Sequence, residues 1–350
     1  MIAQFVIHFT TTLLDPAEFF GVNRYSLEFM RRGLRRFLVK LATSTVVLLA
    51  VSHTSFPASR PHVAQAAVRR PSTNETARPR IQNDEPPARP IEAGSEAGTE
   101  AAKIVLTRSA SWFVYPKGCA GVARGFDLVL HFHGAHTTMI PRYLRSNLNA
   151  VLVIVNKGIG SGAYSDALGL RSDVDGLLGR IEKSVAEECG LKPSAPRRIA
   201  LSSWSAGYGA VQQFLRFRPE KVDAVLLSDG LHVGFTDERQ RKVRVTQMQE
   251  FVTFAKRAAR GEKLMAIAHS AITPPEYASA AETALALAAE AHAPSWPVMK
   301  ERYGMTQLTA ARRGQFFVDG FAGTDKAAHA RHLYSIDHTS FARLNDYWKR

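Results

Sequence analysis

Ser202-Ser203-Trp204-Ser205-Ala206-Gly207-Tyr208-Gly209 follows the apolar run Arg198-Ile199-Ala200-Leu201 and precedes Ala210-Val211-Gln212-Gln213-Phe214-Leu215. The spacing predicts a short buried strand, a tight turn of small residues, and a helix. Ser205 stands at the apex of the turn. A serine there is held in a strained backbone conformation with its hydroxyl projecting, and the amides that follow point at whatever it attacks. Such a turn needs small residues two before and two after the apex, and Ser203 and Gly207 supply them.

With strand and helix on either side, the pattern resembles the nucleophile elbow of the α/β-hydrolase superfamily, with S-x-S-x-G in place of G-x-S-x-G. Strands alternate with helices outward from it. Residues 112–115 read as an edge strand, 126–133 as a central strand, and 150–155 as one buried on both faces. A helix capped by Ser172 runs to Glu188 and stops near Gly190. Beyond the elbow come a strand at 222–227, a long helix over 236–260, and a strand at 264–268. A capping box at Ser279 and Glu282 opens a helix, 291–313 reads as loop, and a strand at 315–318 precedes a helix over 326–348. The fold class is therefore α/β: three layers, a mostly parallel sheet with helices on both faces. Seven strands match the α/β-hydrolase plan, so the resemblance spans nearly all of 104–350.

Ligands of open α/β sheets sit beyond the carboxyl ends of the strands. The strand at 126–133 ends in His133-Gly134-Ala135-His136. The resemblance implies that this pair shapes an oxyanion loop, with the amides of Ala135 and Ala206 facing the developing negative charge. It also implies a general base after the last strand. His329 is the first choice and His332, one turn on, the reserve, while His338 lies deeper in the helix. The orienting acid usually follows the penultimate strand, but here that strand ends in His269-Ser270-Ala271. Asp229, one strand earlier in Ser228-Asp229-Gly230, takes the role, a known variation in the superfamily. Glu276, Asp319 and Asp325 are the alternatives. Trp204 is expected to pack beside the elbow. Tyr208 either lines the acyl pocket or covers the helix start, and His269 and Ser270, at a strand end, have a supporting role.

His131-x-His133-x-x-His136 has the spacing of metal ligands and offers a rival reading as a zinc hydrolase. It resembles the H-x-H-x-D-H signature of metallo-β-lactamase-fold hydrolases, with Ala135 where that signature has Asp. A further rival is a catalytically inactive hydrolase fold that serves as a binding module.

The chain has 350 residues and a formal net charge of +14, divided as +4 over residues 1–103 and +10 over 104–350. No Arg/Lys run interleaved with aromatics accompanies that charge, so no nucleic-acid partner is expected. Residues 1–66 form an N-terminal extension. Within it, from Met30, a basic stretch (Arg31, Arg32, Arg35, Arg36, Lys40), an apolar run of 11 residues from Leu41 to Val51, and Ala64-Gln65-Ala66 follow the layout of a secretory signal peptide. Arg35-Arg36 with Phe37-Leu38 also resembles a twin-arginine export signal. Translation from Met30 fits that layout. Residues 67–103, rich in Pro, Arg and Glu, read as a disordered linker. An exported protein is expected, with membrane contact confined to export. Cys119 and Cys189, the two cysteines, either pair in an oxidising compartment or remain separate thiols. The expectation is a serine hydrolase of esters or related acyl bonds in a small-molecule substrate, requiring no cofactor.

Overall fold

The computed structural model describes residues 102–106 and 111–350. The signal-like segment and nearly all of the linker lie outside the described residues. Six strands form a parallel core: β3 (Leu128–Phe132), β4 (Val151–Val155), β5 (Ile199–Trp204), β6 (Ala224–Ser228), β9 (Leu264–His269) and β12 (Phe316–Phe321). These are continuous apolar runs, and β3, β4, β6 and β9 are buried along their whole length. That pattern requires cover on both faces of the sheet.

The cover is divided by the strand period of two. Leu128, Leu130, Val151 and Val153 point to one face and pack against α3 (Arg171–Cys189), α4 (Tyr208–Phe217), α5 (Gln249–Ala259) and α6 (Ala280–Glu290) through Leu177, Ile181, Phe214, Phe251 and Leu287. Val129, Leu152, Ile154 and Leu226 point to the other, against α1 (His136–Arg145), α7 (Lys326–Tyr334) and α8 (Ala342–Trp348). A short α2 (Ser161–Ala167) buries Tyr164 with the first group. The result is a three-layer α/β fold with a mostly parallel sheet.

The sheet has ten strands in the order β1-β2-β4-β3-β5-β6-β9-β12-β11-β10, where β1 is Lys103–Leu106, β2 is Trp112–Tyr115, β10 is Ser295–Arg302 and β11 is Met305–Arg313. Two antiparallel strands thus flank the parallel core on each side. Three sequence expectations are corrected here. Trp112–Tyr115 is not at the edge, because β1 pairs outside it. The expected loop at 291–313 is mostly the β10–β11 hairpin, turned by Tyr303 and Gly304 at φ 57° and 71°, a pair of left-handed residues that suits a two-residue hairpin. The single helix over 326–348 is two helices joined by a π-turn at Asp337–Phe341.

The long helix expected over 236–260 is also shorter. Its first half is a two-stranded hairpin, β7 (Phe235–Asp237) with β8 (Lys242–Val243). Asp237 binds the amide of Gln240 through its side chain at 3.0 Å, closing a turn instead of opening a helix. Where the local signals were strong they match the structure: Glu282 N–H donates to Ser279 Oγ at 3.1 Å, and the Ser279 amide donates to Glu282 at 2.7 Å. Cys119 and Cys189 are joined in a disulfide that ties the turn after β2 to the end of α3. No helix among the described residues is long and apolar enough to cross a membrane.

Candidate active site

β5 ends at Trp204, and Ser205 turns the chain at φ 49° into a 3-10 turn, Ser205–Gly207, and then α4. Left-handed backbone at a serine costs roughly 1–3 kcal/mol and persists only where the surroundings enforce it. The enforcement is steric. A Cβ on Gly207 would lie 2.1 Å from the Phe132 carbonyl oxygen, and one on Gly230 would lie 2.2 Å from the Ser205 carbonyl oxygen. Strand β3 and the turn after β6 therefore press on the elbow from two directions. Ser205 remains half-buried and lines an open cleft of about 460 Å³.

Asp229 follows β6 directly, also in the left-handed region at φ 46°. Its amide donates to the Ala268 carbonyl at 2.7 Å, which locks the turn to β9. Both carboxylate oxygens are used. Oδ1 accepts the Ser270 amide at 2.8 Å and the Ser270 hydroxyl at 3.0 Å, and Oδ2 faces His329 Nδ1 at 2.7 Å. Burial is the largest influence on this acid and pushes its pKa up. The bond to His329, the charge of His332 and the Ser270 amide together outweigh it, so the pKa falls below the ordinary aspartate value. Asp229 is a carboxylate at neutral pH.

His329 sits in the first turn of α7, which Asp325 caps through the Ala328 amide at 2.8 Å. Because Nδ1 carries the proton donated to Asp229, Nε2 is the nitrogen left to exchange one. Trp204 holds the ring in place: its indole stacks on His329 with centroids 4.6 Å apart, and its N–H donates to the His329 carbonyl at 3.1 Å. The same indole stacks on His133 at 5.3 Å. Ser205 follows Trp204 in the chain, and its carbonyl lies against the turn that carries Asp229. Ser205 Oγ has no hydrogen-bond partner among the described residues.

The other expected residues divide clearly. Ala206 lines the cleft, and Ala135 is exposed at the N-cap of α1. Between β3 and Ala135, His133 and Gly134 take φ 69° and 142°. Asn156 clamps this turn from β4, accepting the Gly134 amide at 3.0 Å and donating to its carbonyl at 2.9 Å. Asn156 carries no sequence motif and is not among the expected site residues, whereas Ser270, at the end of its strand, is expected in a supporting role. Tyr208 lines the cleft, with its hydroxyl 3.0 Å from Ser161 Oγ and donating to the His232 carbonyl at 3.1 Å. His269 is buried behind the site and donates from Nδ1 to the Ser270 carbonyl at 2.9 Å. His332 is buried edge-on to Phe321, with both ring nitrogens unpartnered. Asp319 pairs with Arg343, His338 stacks on Tyr303, and Glu276 is exposed.

The three histidines of the zinc spacing do not converge. The two-residue spacing of His131 and His133 is not that of one strand face, because the strand ends at Phe132 and His133 turns left-handed. His131 is fully buried, and burial lowers its pKa to about 3. Its Nε2–H donates to the His133 carbonyl at 2.9 Å, so Nδ1 accepts from Ser202 Oγ at 2.9 Å and neither nitrogen is free. His133 Nδ1 lies 2.8 Å from the Tyr164 hydroxyl, and His136 stacks on Trp112 at 4.2 Å. Among the described residues no group of three metal-capable side chains is gathered.

No protein-family model and no curated protein matches the chain. Among solved structures it is similar to a cold-adapted esterase from an Arctic intertidal metagenomic library, at 12% identity over 68% of this chain and 92% of that one, TM-score 0.37. It is similar to a putative aryl esterase from Burkholderia cenocepacia at 9% identity over 71% and 100%, TM-score 0.36. It is similar also to an IroE-like serine hydrolase from Shewanella oneidensis at 14% identity over 68% and 79%, TM-score 0.36. Likeness this distant leaves the chemistry of the site to the chain's own residues.

Proposed function

We propose that the protein is a serine hydrolase that cleaves an ester or related acyl bond. The observation that carries this reading is the 2.7 Å contact between His329 Nδ1 and Asp229 Oδ2, with Asp229 on a turn packed against the backbone of a serine held at φ 49° at a strand end. Ser205 Oγ attacks the acyl carbon while His329 Nε2 takes its proton, and Asp229 stabilises the imidazolium that forms. The new C–O bond pushes the carbonyl electron pair onto oxygen, which faces the amides of Ala206 and Ala135. When the electron pair returns, the alcohol leaves with the proton held by His329. Water, activated by the same nitrogen, then releases the acid and regenerates Ser205. The ionised Asp229 is the partner this sequence needs for the imidazolium that forms.

We also propose that the protein is exported after cleavage near Ala66, a reading the Cys119–Cys189 disulfide supports, since such bonds persist in oxidising compartments. N-terminal sequencing of the mature protein is expected to begin near residue 67, and a mature start at Met1 counts against it.

The test of the hydrolase reading is labelling by a fluorophosphonate probe together with hydrolysis of short esters. Ser205→Ala is expected to abolish labelling and lower kcat by a factor of roughly 10⁴ or more. Asp229→Asn is expected to cost roughly 10⁴ in kcat while leaving the fold and substrate binding in place, because the asparagine cannot hold the imidazole in the needed tautomer. Activity that survives both substitutions sinks the proposal.

A further inference from the structure

The cleft beside Ser205 is walled by rings. Tyr277 stands edge-on to His232 with centroids 5.0 Å apart at 65°, and Tyr208 stands edge-on to the same histidine at 5.8 Å and 77°. This wall is fixed by polar anchors at its back. His232 Nδ1–H donates to the Ala278 carbonyl at 3.0 Å, and the Tyr208 hydroxyl is tied to the His232 carbonyl. Burial lowers the His232 pKa, so the ring is uncharged at neutral pH. By contrast, the front of the cleft is bare. Tyr277 is 41% exposed and Ile159, held between Gly158 and Gly160 on the loop after β4, is 99% exposed, although both line the cavity. Among the described residues that line it there is no Asp, Glu, Lys or Arg.

An uncharged recess with a preorganised ring wall and uncovered apolar surface at its lip selects a flat, uncharged group that stacks. We propose that the site takes an uncharged ester bearing an aromatic ring, seated against Tyr277 and His232 and covered by Ile159. This rests on the reading of Ser205 as the nucleophile. The ring belongs to either the alcohol or the acyl half of the ester, and the two halves are tested separately.

Two matched pairs of esters differ only in whether the ring is aromatic: benzyl acetate with cyclohexylmethyl acetate, and methyl phenylacetate with methyl cyclohexylacetate. Hydrolysis is followed by proton release. The full-length protein is expected to favour the aromatic member of at least one pair by about three- to tenfold in kcat/KM, chiefly through KM, the range expected for one aromatic contact. Tyr277→Leu is expected to bring that ratio close to one, and Tyr277→Phe to keep it. Ratios near one in both pairs, or a preference that survives Tyr277→Leu, overturn the proposal.

Equilibrium binding of the same pairs to Ser205→Ala, measured by calorimetry, separates this inference from the hydrolase reading. Aromatic-selective binding that Tyr277→Leu removes, in a protein without esterase activity, supports the ring site and defeats the hydrolase. Hydrolysis without aromatic preference does the reverse. A protein that neither hydrolyses nor binds these esters defeats both.

Discussion

Ser205, Asp229 and His329 are legible in the sequence because each carries a positional signal: small residues around an apex, an acid at a strand end before Gly, and the first histidine after the last strand. Asn156 carries none, and the strand-end position of Ser270 points only to a supporting role. A lone asparagine after a strand, or a serine after a histidine, becomes meaningful only when folding brings it against Gly134 or Asp229. His332 shows the opposite case, a residue that looks suited to the site and is spent in the interior. Burial holds its pKa down at about 4, against about 6.5 in an unfolded chain. The folded state therefore resists a proton that the unfolded state accepts. Its contribution to stability is complete above pH 6.5 and is lost as pH falls through about 4, by roughly 3 kcal/mol at the limit. His332→Leu, which also removes two unpartnered nitrogens, is expected to flatten the fall in Tm between pH 6.5 and 4. An unchanged acid profile in thermal melts refutes this.

Among the elements, the parallel strands could be read because burial on both faces leaves uninterrupted apolar runs. The β10–β11 hairpin could not. Ser295–Arg302 is mostly exposed and holds a proline and alternating charges, so nothing in it marks a strand until β11 pairs with it. The region 236–260 misled because its charged residues serve a turn as readily as a helix. At the elbow, the contact between elements is a backbone collision avoided by glycine. Gly207→Ala would force a methyl group to 2.1 Å from a main-chain oxygen of β3, which cannot move without shifting the sheet. It is expected to cost about 3 kcal/mol or more, with loss of activity. Gly179→Ala, on an exposed face of α3 with nothing within 4 Å, is the control. It is expected to stabilise by about 0.5–1 kcal/mol. Denaturant melts of the two proteins check both, and equal midpoints count against the close-packing account.

For the described domain as a whole, the disulfide is the longest covalent tie, closing 70 residues between Cys119 and Cys189. Its cysteines were visible in the sequence but their pairing was not, since spacing alone decides nothing. Cross-linking a loop of that length restricts the unfolded chain by about 4 kcal/mol. Replacing both cysteines by alanine is expected to lower Tm by roughly 10 °C. The proposed aromatic preference and hydrolysis are expected to survive at low temperature, because neither cysteine lines the cleft. A melting point within 2 °C of the parent protein, on the order of the shift from 1 kcal/mol, removes the disulfide from the account of stability.

The sandwich of Trp204 between His133 and His329 has an optical consequence. An imidazolium in contact with an excited indole accepts an electron from it and darkens its emission, whereas a neutral imidazole does so far less. Protonation of the ring that Asp229 orients should therefore dim this indole, which makes the steady-state emission of Trp204 a built-in gauge of the charge beside Ser205.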